Sequence, residues 1–125
     1  MSLNVIIVDP IKDEEKISLL ERLGIGVAYF PFPDGVLKRF NRRECNAVIV
    51  DPVGPGHAVF NGEGSLLQFM EGVRAYDPSL PLIVATRIPY IELDRAGVKP
   101  ETHYTQYWHK PYRVWTQLLP LLKKP

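Results

Sequence analysis

Ala47-Val48-Ile49-Val50-Asp51 is the stretch on which the fold turns: an unbroken apolar run, mostly β-branched, closed by a carboxylate. β-Branched side chains suit the pleated surface of a sheet. A run without polar alternation reads as a strand covered on both faces, as in a parallel sheet flanked by helices. Working outward, the pattern recurs at Val5-Ile6-Ile7-Val8 before Asp9 and at Leu82-Ile83-Val84-Ala85 before Thr86. A more mixed run, 104–109, precedes Lys110. In a parallel sheet all strands point one way, so residues just past their carboxyl ends gather at one edge, where open α/β sheets bind ligands. Asp9, Asp51, Thr86 and Lys110 are therefore expected to share one pocket. Two carboxylates, a hydroxyl and an ammonium are equipment for a divalent cation and a phosphoryl group.

Helical patterns fill the intervals. Asp13-Glu14-Glu15 followed by Ile17, Leu20 and Leu23 predicts a first helix, with acids at its positive end and Gly24 after its close. Residues 26–30 read as a second strand. Pro31-Phe32-Pro33-Asp34-Gly35 is a turn, with Asp34 placed to cap a helix over 34–43 that turns Val36, Leu37 and Phe40 inward. Phe30-Pro31-Phe32-Pro33 reads as packed loop, with a docking patch as the other option. After Asp51, a loop rich in Gly and Pro leads to Ser65, a cap for a helix carrying Leu66, Phe69, Met70 and Val73 and ended by Asp77-Pro78. A short helix is expected over 91–96. A last helix carries Val114, Trp115, Leu118, Leu119 and Leu122, bent or shortened by Pro120. Strand and helix alternate five times with connections too long for hairpins, which predicts a three-layer α/β/α sandwich with helices on both faces of a five-stranded parallel sheet.

The 125 residues suffice for one domain, 1–125, with Met1-Ser2-Leu3 reading in part as an expression scar. With Lys plus Arg at 15 and Asp plus Glu at 14, bulk electrostatic binding to nucleic acid or an anionic membrane is disfavoured. No span or signal peptide is visible, and the single Cys45 cannot form an internal disulfide; both suit a cytoplasmic protein. His57, His103 and His109 lack metal-ligand spacing, and Gly54, Gly56, Gly62 and Gly64 form no nucleotide fingerprint.

The layout resembles the receiver domain of bacterial response regulators over essentially the whole chain. The resemblance rests on Val8-Asp9, Asp51 with Pro55 four residues on, Arg74-Ala75-Tyr76-Asp77-Pro78-Ser79-Leu80-Pro81, Thr86 and Lys110-Pro111-Tyr112, in that order. It implies a flavodoxin-like sheet of order 2-1-3-4-5 and a phosphorelay switch rather than an enzyme. By that resemblance Asp51 accepts a phosphoryl group from a histidine kinase or phosphotransfer protein. Asp9, Asp51 and the Val53 backbone carbonyl hold Mg²⁺. Lys110 pairs with the aspartyl phosphate, Thr86 moves toward it, and the Tyr107 rotamer reports activation. It also implies a downstream protein partner or fused output domain, with a homodimer possible, and no direct contact with nucleic acid or membrane.

The chain departs from that pattern twice. Receivers carry two adjacent acids after the first strand, and here the second is Pro10, with Asp13 or Glu14 as the nearest replacements. Arg87 stands where a small residue normally follows the hydroxyl, either crowding the pocket or binding phosphoryl oxygens in place of a lost cation. Two rival readings stay open: a non-phosphorylated pseudo-receiver serving as an interaction module, and a small flavodoxin-like enzyme or flavin carrier. Asp9 also fits as a cap for the first helix, Asp51 as a helix or turn cap after its strand, and Thr86 as an ordinary polar strand end.

Overall fold

In the computed structural model, residues 3–33, 36, 45–52, 66–100 and 103–122 are described. The strands are β1 (Leu3–Val8), β2 (Ile25–Phe30), β3 (Ala47–Val50), β4 (Leu82–Thr86) and β5 (Gln106–His109). The helices are α1 (Glu14–Arg22), α2 (Leu66–Tyr76), α3 (Tyr90–Arg95) and α4 (Leu119–Leu122), the last entered through a π-helical turn at Val114–Leu118. The five strands form one parallel sheet of order β2-β1-β3-β4-β5, as expected.

Alternation within each run divides the core into two. Ile6, Val8, Val48, Val50, Leu82 and Val84 pack on one face with Phe69, Met70 and Val73 of α2 and Leu93 of α3. Val5, Ile7, Ala47, Ile49, Ile83 and Ala85 pack on the other with Ile17 and Leu20 of α1 and Val114, Leu118, Leu119 and Leu122. The central runs 5–8, 47–50 and 82–85 are apolar throughout because both of their faces are covered, whereas edge strand β5 exposes Gln106 and His109.

Several boundaries differ from the sequence reading. β1 starts at Leu3, which pairs with Ile25, so Leu3 belongs to the sheet. β5 is shorter than 104–109: Tyr104 is fully buried but only bridges Pro100, and the ladder begins at Gln106. Asp9 does not cap α1. Asp13 does, its Oδ1 accepting from the Lys16 amide at 3.0 Å, because Asp13 immediately precedes the first helical residue. Leu23 is the C-cap of α1 and is exposed, and Gly24 leaves it at φ +83°. The last helix runs through Pro120 as far as Leu122, with a π-helical turn ahead of it. Proline removes a backbone donor and clashes with the carbonyl four residues back, and the chain widens into a π turn just before it, with the Leu119 amide bonded to the Val114 carbonyl. Trp115 is 60% exposed, one step off the buried stripe of Val114, Leu118, Leu119 and Leu122.

The expected helix over 34–43 and the Ser65 cap lie outside the described residues, apart from Val36, which is wholly buried. Val53 and the Gly/Pro-rich loop with Pro55 and His57 lie outside them too. Among the described residues no helix is long and apolar enough to cross a membrane.

Candidate functional site at the carboxyl edge of the sheet

Parallel register carries the strand ends into one place. Val8 pairs with Val50, so Asp9 and Asp51 stand side by side one residue on. The ladder continues past the strands: the Asp51 amide donates to the Val8 carbonyl at 2.8 Å and the Asp9 amide to the Phe30 carbonyl at 3.0 Å. Thr86 pairs with His109, and the Lys110 amide then donates to the Thr86 carbonyl at 2.9 Å. The Lys110–Pro111 peptide is cis.

The side chains complete the convergence. The Lys110 ammonium donates to Asp51 Oδ2 at 2.7 Å and also to Asp9 Oδ2. These side chains are mostly buried, Asp51 at 7%, Asp9 at 13% and Lys110 at 21% exposure. Burial pushes the Asp9 carboxyl above its usual value, although Lys110 and the Ile11 amide both favour its charged form. Burial also disfavours the Lys110 ammonium, but its bonds to Asp51 and Asp9 outweigh that and hold its pKa above the ordinary value.

The remaining expected residues take different places. Thr86 is completely buried, and its hydroxyl accepts from the Ile88 amide at 3.1 Å, closing the turn after β4. Tyr107 is partly buried, stacked edge-on to Tyr90, and donates its hydroxyl to the Ile88 carbonyl at 2.6 Å. Burial, then the charge of Asp51, raises the Tyr107 pKa, so that ring lies within the field of the acid. Thr86 and Tyr107 thus meet at the amide and the carbonyl of one residue, Ile88.

Two residues missed by sequence reasoning shape the site. Tyr29, at the end of β2, donates its hydroxyl to the Asp9 carbonyl at 2.6 Å. Lys16, from the first turn of α1, places its ammonium 3.6 Å from the Tyr112 ring centroid and donates to the Tyr112 carbonyl at 3.2 Å. The only signal for Lys16 was its position beside the buried Ile17. A cleft of about 490 Å³ opens between this helix start and the loops after β4 and β5, lined by Asp9, Lys12, Lys16, Arg87, Lys110 and Tyr112 among others.

Three carboxylate oxygens at the sheet edge are already engaged by protein donors. Asp9 Oδ1 accepts from the Ile11 amide at 2.9 Å, while Asp9 Oδ2 and Asp51 Oδ2 are taken by Lys110. Pro10 contributes no side-chain oxygen. Asp13 is committed to the cap, and Glu14 is highly exposed and pairs with Lys12 at 3.4 Å. Among the described residues no group of three or more His, Cys, Asp or Glu is placed to hold a metal.

Comparison with solved structures places this architecture among receivers. The Vibrio cholerae chemotaxis protein CheY4 superposes with a TM-score of 0.68 at 17% identity, covering 90% of each chain. A CheY-like receiver domain from Methylobacillus flagellatus gives 0.67 at 20% identity, over 98% of this chain and 97% of the other. The receiver domain of the Pseudomonas aeruginosa sensor histidine kinase PA1611, solved with magnesium coordinated in its active-site cleft, gives 0.65 at 15% identity over 90% and 88%. No family model and no curated protein sequence matches the chain. The fold is that of CheY-like receiver domains.

Proposed function

We propose that this chain is a receiver that accepts a phosphoryl group on Asp51 and passes the change to a protein partner. The observation that carries the reading is the Lys110 ammonium joined to both Asp51 and Asp9. In the transfer, an Asp51 oxygen attacks phosphorus, the bond from phosphorus to the donor nitrogen or acyl oxygen breaks, and the leaving group keeps its electron pair. Such reactions ask the protein for position and for charge to offset the anionic donor. Lys110 supplies that charge at the carboxylate itself. The Mg²⁺ implied by the resemblance would enter only if Lys110 withdrew from Asp9 and if other donors, such as the Val53 carbonyl, closed its shell.

The product carries extra negative charge beside Lys110. Thr86 reaches it by releasing the Ile88 amide, which frees the turn that Tyr107 holds from the other side. Such a local charge change biases a two-state loop. The exposed Tyr90 and Ile91 on α3 adjoin that loop and offer a partner a changed surface. A histidine kinase or phosphotransfer protein would supply the group, and a separate or fused output protein would read it.

The test is the mass of the chain after incubation with a small acyl phosphate, with Mg²⁺ and in EDTA. A single phosphoryl adduct absent from Asp51→Asn supports the reading. No adduct under either condition, or one that persists in Asp51→Asn, defeats it. Pro10 favours a second reading, the pseudo-receiver, in which the Lys110 bridge keeps the site closed and the fold serves as a docking module; an unmodified chain in that assay is what it requires.

A further inference from the structure

The cleft beside Asp9 is lined by four cationic side chains, Lys12, Lys16, Arg87 and Lys110. Lys12 is engaged with Glu14 and lies over the Tyr29 ring, and Lys110 is engaged with the two aspartates. The other two have donors to spare. Arg87 is exposed and makes no ion pair or hydrogen bond among the described residues. Lys16 spends one donor on the Tyr112 carbonyl and rests on that ring, and its nearest acid, Asp13, is 3.9 Å away, too far for a hydrogen bond. Lys16 is nonetheless largely buried, with its side chain 19% exposed. An ammonium held at that depth, paired with its nearest acid only at 3.9 Å and hydrogen-bonded to no carboxylate, gains from an anion that completes its bonding. Glu15 is the one acid on the rim without a described partner, and it is exposed.

We propose that Lys16 and Arg87, facing one cleft with Lys110, bind phosphate oxygens directly and take the place of a divalent cation, so that a small phosphate anion binds this chain without metal. Arg87 supplies the planar fork suited to two oxygens of a phosphate, and Lys16 supplies a point charge lining the same cleft. The geometry has an electrostatic counterpart: after burial and the opposing pull of Asp13, the charge of Lys110 further lowers the Lys16 pKa, so the two ammonium groups feel one another. An anion between them relieves that repulsion. The lost metal ligand at Pro10 and the gained cation at Arg87 thus compensate for each other. The inference extends the phosphoryl-acceptor reading but rests on binding alone.

The test is calorimetric titration of the full chain with inorganic phosphate in EDTA and again with excess Mg²⁺. Saturable binding at one site in EDTA, not strengthened by Mg²⁺, is expected. Arg87→Ala and Lys16→Met should each weaken it by about tenfold or more, the usual effect of losing one charge-assisted contact. Circular dichroism confirms that each variant is folded, and Arg87→Lys, which keeps charge without the fork, should fall between. No saturable binding, binding only with Mg²⁺, or binding indifferent to both substitutions overturns the inference. Phosphate binding without an Asp51 adduct defeats the acceptor reading alone, and an Mg²⁺-dependent adduct without metal-free phosphate binding defeats this inference alone.

Discussion

Replacing Lys110 with Met keeps the aliphatic stem and removes the ammonium shared by Asp9 and Asp51. Two charge-assisted hydrogen bonds disappear, one of 2.7 Å to Asp51 and one to Asp9, and two adjacent, mostly buried carboxylates are left to repel each other. A full loss of such a buried pair costs roughly 3–5 kcal/mol; discounting for residual solvent gives about 2–4 kcal/mol at neutral pH. For 125 residues that lowers the Tm by roughly 8–15 °C. The loss is pH-dependent, and its sign follows from Asp9. Its folded pKa already lies above 3.8, so its contribution to stability is complete below 3.8 and falls away as pH rises through the folded value. Without Lys110 that folded pKa climbs further. The deficit against wild type therefore grows from acid toward neutral pH and then levels off. Urea unfolding of both proteins across that range measures it, and adding Asp9→Asn to the variant should recover part of the loss. A deficit under about 1 kcal/mol at neutral pH, or one equally large in acid, would refute the claim that the Lys110 ammonium stabilises both acids.

Other consequences are as accessible. Thr86→Val, nearly isosteric, strips the Ile88 amide of its acceptor in a fully buried turn and should cost about 1–2 kcal/mol in chemical denaturation, while Thr86→Ser should cost less. Gly24 and Gly97 sit at φ +83° and +85°, and an added Cβ would meet nothing closer than Leu67 Cδ1 at 3.8 Å from Gly97. Each Gly→Ala change should therefore cost about 1 kcal/mol from backbone strain alone, equal at the two sites within error. In alkali, Tyr104 has a pKa pushed to about 12, chiefly by burial, so its stabilising contribution is present below 10.0 and vanishes as pH passes about 12. Lys110 adds a loss in the same direction above 10.5. Part of the tyrosinate absorbance should appear only together with loss of circular dichroism; complete titration of a still-folded chain would contradict this.

How far the sequence was legible depended on whether the signal was local. Unbroken runs such as Ala47-Val48-Ile49-Val50 specify buried parallel strands, and the residue after each run falls at the same edge by register alone. Asp9, Asp51 and Lys110 were therefore readable as neighbours. Two residues misled. Asp9 was a plausible cap, but its Oδ1 turns to the Ile11 amide while Asp13 stands nearer the helix. Trp115 matched the helical stripe until the π turn changed the angular step near Pro120. Lys16 carried almost no signal. On α1 it is an ordinary polar residue, and only the packing of that helix against the segment after β5 sets it over Tyr112. Contacts between distant elements are what a single sequence hides. Tyr29 on Asp9 is another such contact.

The sheet stands between two apolar clusters that share no side chain. It works as a bulkhead. A cavity cut beneath α2 is felt by α1 only through strand backbones tied along their length, so substitutions on opposite sides should combine almost independently, while neighbours on one side should not. Selection can then remodel the compartment under α2 and α3, behind the turn at Ile88, without reopening the one that seats Lys16 and Tyr112. A protein built this way can be recast on one flank while the opposite flank keeps its shape.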